Sequence, residues 1–209
     1  MLFRFPHSSW LPACRRLLLL LPALVLAAGL SARSLVKADV QLANNAVLAM
    51  YQDEDANMWI GTYDGLHLYN GKNTFVFRME LDNEFSLCSN IVLEIAPAEK
   101  GYLWVATSLG INKFSLRERR VVESYMQYVD VENIASDSEG NTVLFSGEDF
   151  ITCYRPGRAF FEDVYIPGVR AAEIVAVWSE APRVFCTLGR DGELVRYRLN
   201  DGEGKSLAR

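Results

Sequence analysis

Few residues of this sequence have the types and spacing that do chemistry. His67 is the only histidine beyond residue 38. It stands between Leu66 and Leu68, so on a strand it would point away from both. A hydrolytic triad needs a nucleophile and an orienting carboxylate within reach of the imidazole, and no pattern around His67 supplies them. A structural or solvent-facing histidine is the expectation. Asp53-x-Asp55-x-Asn57 has the oxygen spacing of a calcium loop. That loop needs glycine where Met58 stands and glutamate where Asp64 stands. The segment therefore reads as a hairpin turn, in which Asp and Asn side chains bond their own backbone.

Glu80, Asp82 and Glu84 cluster in one segment. Paired carboxylates hydrolyse glycosides only at a defined separation, and a charge run in a loop is ordinarily solvated. Tyr63 and Tyr102 fall in turn segments, where an aromatic ring serves either sugar stacking or rim packing. Cys88, Cys153 and Cys186 are far apart, and no C-x-x-C pair occurs. Three single thiols are expected, with one bridge as the alternative, and zinc has no support. No catalytic residue, cofactor or metal is expected.

The elements that carry these residues come from an internal repeat. Leu42, Asn45, Val47, Leu48, Trp59, Thr62 and Gly65 recur as Leu87, Asn90, Val92, Leu93, Trp104, Thr107 and Gly110, at a constant offset of 45. A third copy is weaker, with Val131, Asp137, Asn141, Val143 and Ser146 falling 84 residues after Val47, Asp53, Asn57, Trp59 and Thr62. A fourth opens at Ile174 and continues through Val184-Phe185-Cys186-Thr187 to Asp191-Gly192. The units run over about 42–86, 87–128, 129–170 and 171–209.

Within the first unit the local chemistry predicts four strands, at Val47–Gln52, Met58–Thr62, Leu66–Tyr69 and Thr74–Arg78. Turns at 53–57, 63–65 and Asn70-Gly71 separate them. Four short antiparallel strands every 40–45 residues are the pattern of a β-propeller blade. The fold class is thus all-β: propeller blades of four antiparallel strands, about four of them, in an incomplete ring. Trp59 and Trp104 are the expected spacers between successive sheets. Thr62, Gly65, Thr107 and Gly110 mark the turn beside each. In the fourth unit the outer strand is expected to be missing, because the chain ends where it should begin.

The N-terminus has a different character. Arg4, Arg15 and Arg16 precede an apolar run from Leu17 to Leu30, and no acidic residue appears before Asp39. This is the pattern of a secretory signal peptide over residues 1–38, and the run is shorter than the roughly 20 residues a membrane span needs. Cleavage after Ala38 is preferred, Ala32 is the other site, and an uncleaved anchor is the alternative. Removing residues 1–38 leaves 16 basic against 26 acidic side chains, a net charge near −10. Such a chain repels phosphate backbones, so nucleic acid is not expected as a partner.

The stretch Leu42-x-x-Asn45-x-Val47 … Asp53 … Asn57-Met58-Trp59-Ile60-Gly61-Thr62-Tyr63-Asp64-Gly65-Leu66-x-x-Tyr69 resembles the two-component regulator propeller repeat. The resemblance covers about residues 40–200. It implies the periplasmic sensor region of a hybrid two-component system histidine kinase, answering oligosaccharides released from complex glycans. In that family the propellers precede an immunoglobulin-like domain, a transmembrane helix, a kinase and a receiver, and the resemblance allows dimerisation of the full-length proteins. These residues carry no kinase motif, so the chain itself is not expected to be an enzyme. The expected partners are an oligosaccharide ligand, further blades and downstream kinase domains. The expected location is the periplasm, and the expected product is an N-terminal fragment of the sensor. A secreted propeller enzyme acting on polysaccharide and a truncated remnant or scaffold are the competing readings.

Overall fold

The computed structural model describes residues 40–125, 131–145, 151–158, 161–166, 169–200 and 204–208. The expected signal peptide and Ser146 lie outside the described residues. Short runs rich in β-branched and aromatic residues, bounded by turn residues, give the strands, and the inner ones are buried on both faces. The first sheet contains β1 (Val47–Gln52), β2 (Met58–Thr62), β3 (Gly65–Tyr69) and β4 (Thr74–Phe77). The second contains β5 (Val92–Pro97), β6 (Tyr102–Thr107), β7 (Gly110–Ser115) and β8 (Arg120–Tyr125). The third contains β9 (Asn133–Ser136), β10 (Thr142–Phe145), β11 (Ile151–Tyr154) and β12 (Glu162–Val164). The fourth contains β13 (Ile174–Ala181), β14 (Val184–Gly189), β15 (Leu194–Leu199) and β16 (Gly204–Ala208).

Each sheet is an antiparallel meander in chain order, and the first strands β1, β5, β9 and β13 lie against one another in succession. This is the propeller arrangement. The outer strand of the fourth sheet, expected to be missing, is present: β16 pairs with β15 from Leu199 opposite Gly204 to Arg196 opposite Ala208.

Three apolar cores fill the three spaces between sheets. Trp59, Leu66, Leu68 and Phe77 of the first sheet meet Val92, Leu103, Val105 and Phe114 of the second. Trp104, Ala106 and Ile111 meet Leu144, Tyr154 and Phe161 of the third. Val143, Phe145, Ile151 and Cys153 meet Phe185, Val195 and Tyr197 of the fourth. Trp59 and Trp104 are 1% and 0% exposed, as spacers must be. Trp59 sits edge-on to Phe114 at 5.3 Å, and Trp104 to Tyr154 at 4.9 Å.

The fourth unit has its own register. Thr62 and Thr107 stand opposite Val47 and Val92, whereas the residue opposite Ile174 is Gly189. Cys186, opposite Trp178, therefore holds the place of Trp59, which stands opposite Tyr51. The cause is the first hairpin. Pro182-Arg183 closes it where the other units use about five residues, so the strand begins earlier in sequence. Cys186 consequently faces away from the third sheet. Among the described residues, Cys88, Cys153 and Cys186 are free thiols, and burial pushes Cys153 up to about 12.

Candidate functional site

The repeat builds one end of the molecule in the same way twice. The Thr62 hydroxyl donates to the Gly65 carbonyl at 3.2 Å and accepts from the Asp64 amide at 2.9 Å. Thr107 does the same with Gly110 at 2.8 Å and Leu109 at 3.4 Å. Gly65 has φ 106°, in the left-handed half of the map where a side chain is costly. A Cβ there would also lie 2.5 Å from the Phe77 carbonyl. These turns project Tyr63 and Leu109, 51% and 42% exposed, from the end that also carries the crossovers between sheets. Asp64 is fixed by two bonds from Arg78, at 2.9 and 3.0 Å, and this pairing holds its carboxyl below the usual range. Asn90 ties the crossover to the turn, its carbonyl accepting from Gly65 and its side chain from Met79, both at 2.7 Å.

The same end of the fourth sheet holds a cleft of about 490 Å³. Tyr165, Arg170 and Glu173 come from the crossover between β12 and β13; Asp191 and Glu193 come from the turn between β14 and β15. A backbone bond holds the two segments together, the Arg190 amide donating to the Glu173 carbonyl at 2.8 Å, and the Gly189 amide closes the turn on the Glu193 carbonyl at 2.8 Å. Arg170 pairs with Glu173 at 3.1 Å, and the Asp191 carboxylate accepts from the Glu193 amide at 2.9 Å. Tyr165 is 69% exposed and stands at the mouth. An exposed phenol ring beside carboxylates and a guanidinium can take a neutral polyhydroxylated ligand: the ring stacks, and the charged groups bond hydroxyls.

The other sequence candidates have structural roles. Asp53 accepts from the Asp55 and Asn57 amides, the Asn57 side chain and the Trp59 indole N–H, all between 2.9 and 3.1 Å. Burial pushes its carboxyl up, but these bonds outweigh it and hold Asp53 below the ordinary range. Its oxygens thus serve the hairpin and the tryptophan. Asp137 repeats the motif with Asn141 and also accepts from the Arg183 amide of the next sheet at 2.6 Å. Glu80 accepts from the Asn83 side chain at 2.7 Å within an exposed crossover that also carries Asp82 and Glu84. His67 is completely buried.

The buried charge at Lys113 was missed. Lys113 is 5% exposed and pairs with Glu99 and Glu123, and its ammonium stands over the rings of Tyr102 and Tyr154 at 5.1 and 5.4 Å. Tyr102 is thus a wall of this cage. The signal was the repeat itself, since Lys113 falls where the first unit has the core residue Leu68.

Residues 41–64 match the model of the two component regulator propeller family. No curated protein matches the sequence. Among solved structures, the extracellular domain of a protein assigned as a hybrid two component system of B. thetaiotaomicron superposes with a TM-score of 0.60 at 19% identity, over 80% of this chain and 25% of that one. A second such domain from the same organism gives 0.58 at 16% identity, over 81% and 22%. PorZ, a surface component of the type-IX secretion system of Porphyromonas gingivalis, gives 0.60 at 13% identity, over 80% and 23%. The chain spans about a quarter of the length of these structures. Residues 41–64 thus carry a two component regulator propeller repeat, and the chain shares the propeller fold of these extracellular domains.

Proposed function

We propose that this chain is part of the periplasmic propeller of a hybrid two-component sensor, that it binds a glycan-derived oligosaccharide, and that binding is passed to a histidine kinase carried on other domains. The observation that carries the reading is the cleft between Tyr165 and the Asp191 turn, on the end where the repeat gathers its loops. Its aromatic mouth and fixed polar walls suit stacking and hydroxyl recognition. The repeat at residues 41–64 and the likeness to extracellular sensor domains support the signalling role. The basic, then apolar N-terminus supports export. Further blades of the ring and a second sensor chain are the partners this reading implies.

The test is calorimetric titration of the chain against a panel of neutral and acidic oligosaccharides. Binding of one class, weakened about tenfold or more by Tyr165→Ala, is expected from the loss of a stacking surface. Binding that is indifferent to Tyr165→Ala and to Arg170→Ala would move the site elsewhere. Hydrolysis of a panel member during the titration would favour the secreted enzyme.

A further inference from the structure

His67 lies on β3, paired with Ile60 of β2 and Val76 of β4, and faces away from the core shared with the second sheet. No other described sheet packs on this side of the first sheet, so a histidine there should be wet, yet none of its surface is exposed. The covering is accounted for in part by the segment that leads into β1, residues 40–46. The Ala43 amide donates to His67 Nε2 at 3.0 Å. An imidazole that accepts at Nε2 is neutral and carries its proton on Nδ1. Nδ1 is buried and makes no hydrogen bond of good geometry; the backbone of Ile60 and Gly65 is what lies near the ring.

The second unit provides an internal comparison. Asn112 stands where His67 stands, 45 residues later, and its side-chain oxygen accepts from the Cys88 amide at 3.1 Å. Cys88 is the counterpart of Ala43 at the same offset. Asn112 also donates to Ser124 at 2.9 Å, so its polar atoms are used. The two units hold their entering segments by the same bond. One acceptor can be protonated and the other cannot.

We propose that His67 is a proton-sensitive latch: neutral, it pins the 40–46 segment to the first sheet, and protonated, it releases that segment and bares the face that carries Ile60. Protonation places a hydrogen on Nε2, which then meets the Ala43 N–H donor to donor. It also puts a charge where neither ring nitrogen reaches water. The charged groups facing His67 are Asp64, in the β2–β3 turn, and Arg78, after β4, which pair with each other at 2.9 Å. β1, β2, β4 and the 40–46 segment contribute no Asp, Glu, Lys, Arg or second His. Burial holds the imidazole below the usual histidine range; Arg78 adds to this, while the Ile60 and Gly65 carbonyls and Asp64 oppose it. The folded value lies below the unfolded one. The latch therefore contributes fully above the ordinary histidine range and is lost as pH falls through the folded value. The inference does not depend on the ligand.

Hydrogen exchange of the full chain, read by mass spectrometry at about pH 7.5 and about pH 5 and corrected for intrinsic rates, tests it. The peptide over 40–46 should lose protection by about tenfold or more at the lower pH, following the protonated fraction of one group. The peptide over 86–91, held by Asn112, should not. His67→Asn should remove the difference between the two pH values, and Asn112→His should transfer it to 86–91. Equal protection of 40–46 at both pH values, or an undiminished acid response in His67→Asn, would overturn the proposal. If His67→Asn does not fold, the comparison of the two peptides in the unaltered chain still decides.

Discussion

The indole N–H of Trp104, on the second sheet, donates to the hydroxyl of Thr142, on the third, at 2.8 Å. Both residues are completely buried. One bond thus crosses an apolar interface and fixes how two blades face each other. Thr142 in turn bonds Ser136 at 2.8 Å, across its own sheet. Trp59, the counterpart in the first sheet, spends its N–H within its own blade, on Asp53 at 2.9 Å. The same tryptophan therefore does two things: it spaces blades in both places, and it cross-links them in one.

Trp104→Ala should lower unfolding stability by about 3–5 kcal/mol, the range for a buried tryptophan that leaves a cavity. Thr142→Val keeps the volume but strands the indole N–H and should cost about 1–3 kcal/mol. Because the two residues form one contact, the double variant should cost less than the sum of the singles. Chemical denaturation of the four proteins measures this. Strict additivity would mean that the cross-blade bond contributes nothing.

What was legible in the sequence is what the repeat repeats. Trp59, Thr62 and Gly65 and their partners 45 residues on gave strand order, blade packing and the turn geometry, because each does one local job twice. The place of Cys186 was not legible, because a shorter hairpin shifts the register of β14 and no residue type announces the shift. β16 was missed because Gly204-Lys205-Ser206 has little strand character; it is pairing to β15 that makes it a strand. The cleft at Tyr165 was invisible for a different reason. Its walls come from a crossover and a turn that are separated by the whole of β13 and β14 and share no motif. Loops that gather a site vary while the strands that position them persist.

Lys113 should make the second and third blades sensitive to alkali. Burial alone would pull the ammonium down, but the pairs with Glu99 and Glu123 outweigh it and hold Lys113 above the usual lysine range. A raised folded value gives stability that is full below the ordinary lysine range and is lost as pH rises through the folded value. Lys113→Met keeps the apolar stem among Tyr102, Trp104 and Tyr154 but leaves the carboxylates uncompensated, at a cost of about 3 kcal/mol near neutrality. That cost should shrink as pH rises through the lysine range, where the unaltered chain loses the ammonium. Thermal unfolding of both proteins across pH reads this directly. A cost that does not change with pH would show that Lys113 acts by packing alone.

Gly65→Ala separates two reasons for one glycine. Its φ of 106° is strained for any side chain, and an added Cβ would also stand 2.5 Å from the Phe77 carbonyl. Gly71 supplies the comparison: its φ is 86°, and a Cβ there meets nothing within 4 Å. Gly71→Ala should cost only the backbone term, about 1–2 kcal/mol. Gly65→Ala should cost measurably more, because Phe77 is held in β4 and its carbonyl cannot swing away as the tip of a flexible side chain can. The excess should also appear in the loop, since the turn that Gly65 closes sets the direction of Tyr63 and the Asp64–Arg78 pair. Denaturation midpoints and the proton shifts of Tyr63 measure both effects. Equal costs at the two glycines would mean that the turn yields to the side chain, and that conformational freedom alone explains why the repeat keeps glycine at Gly65 and Gly110.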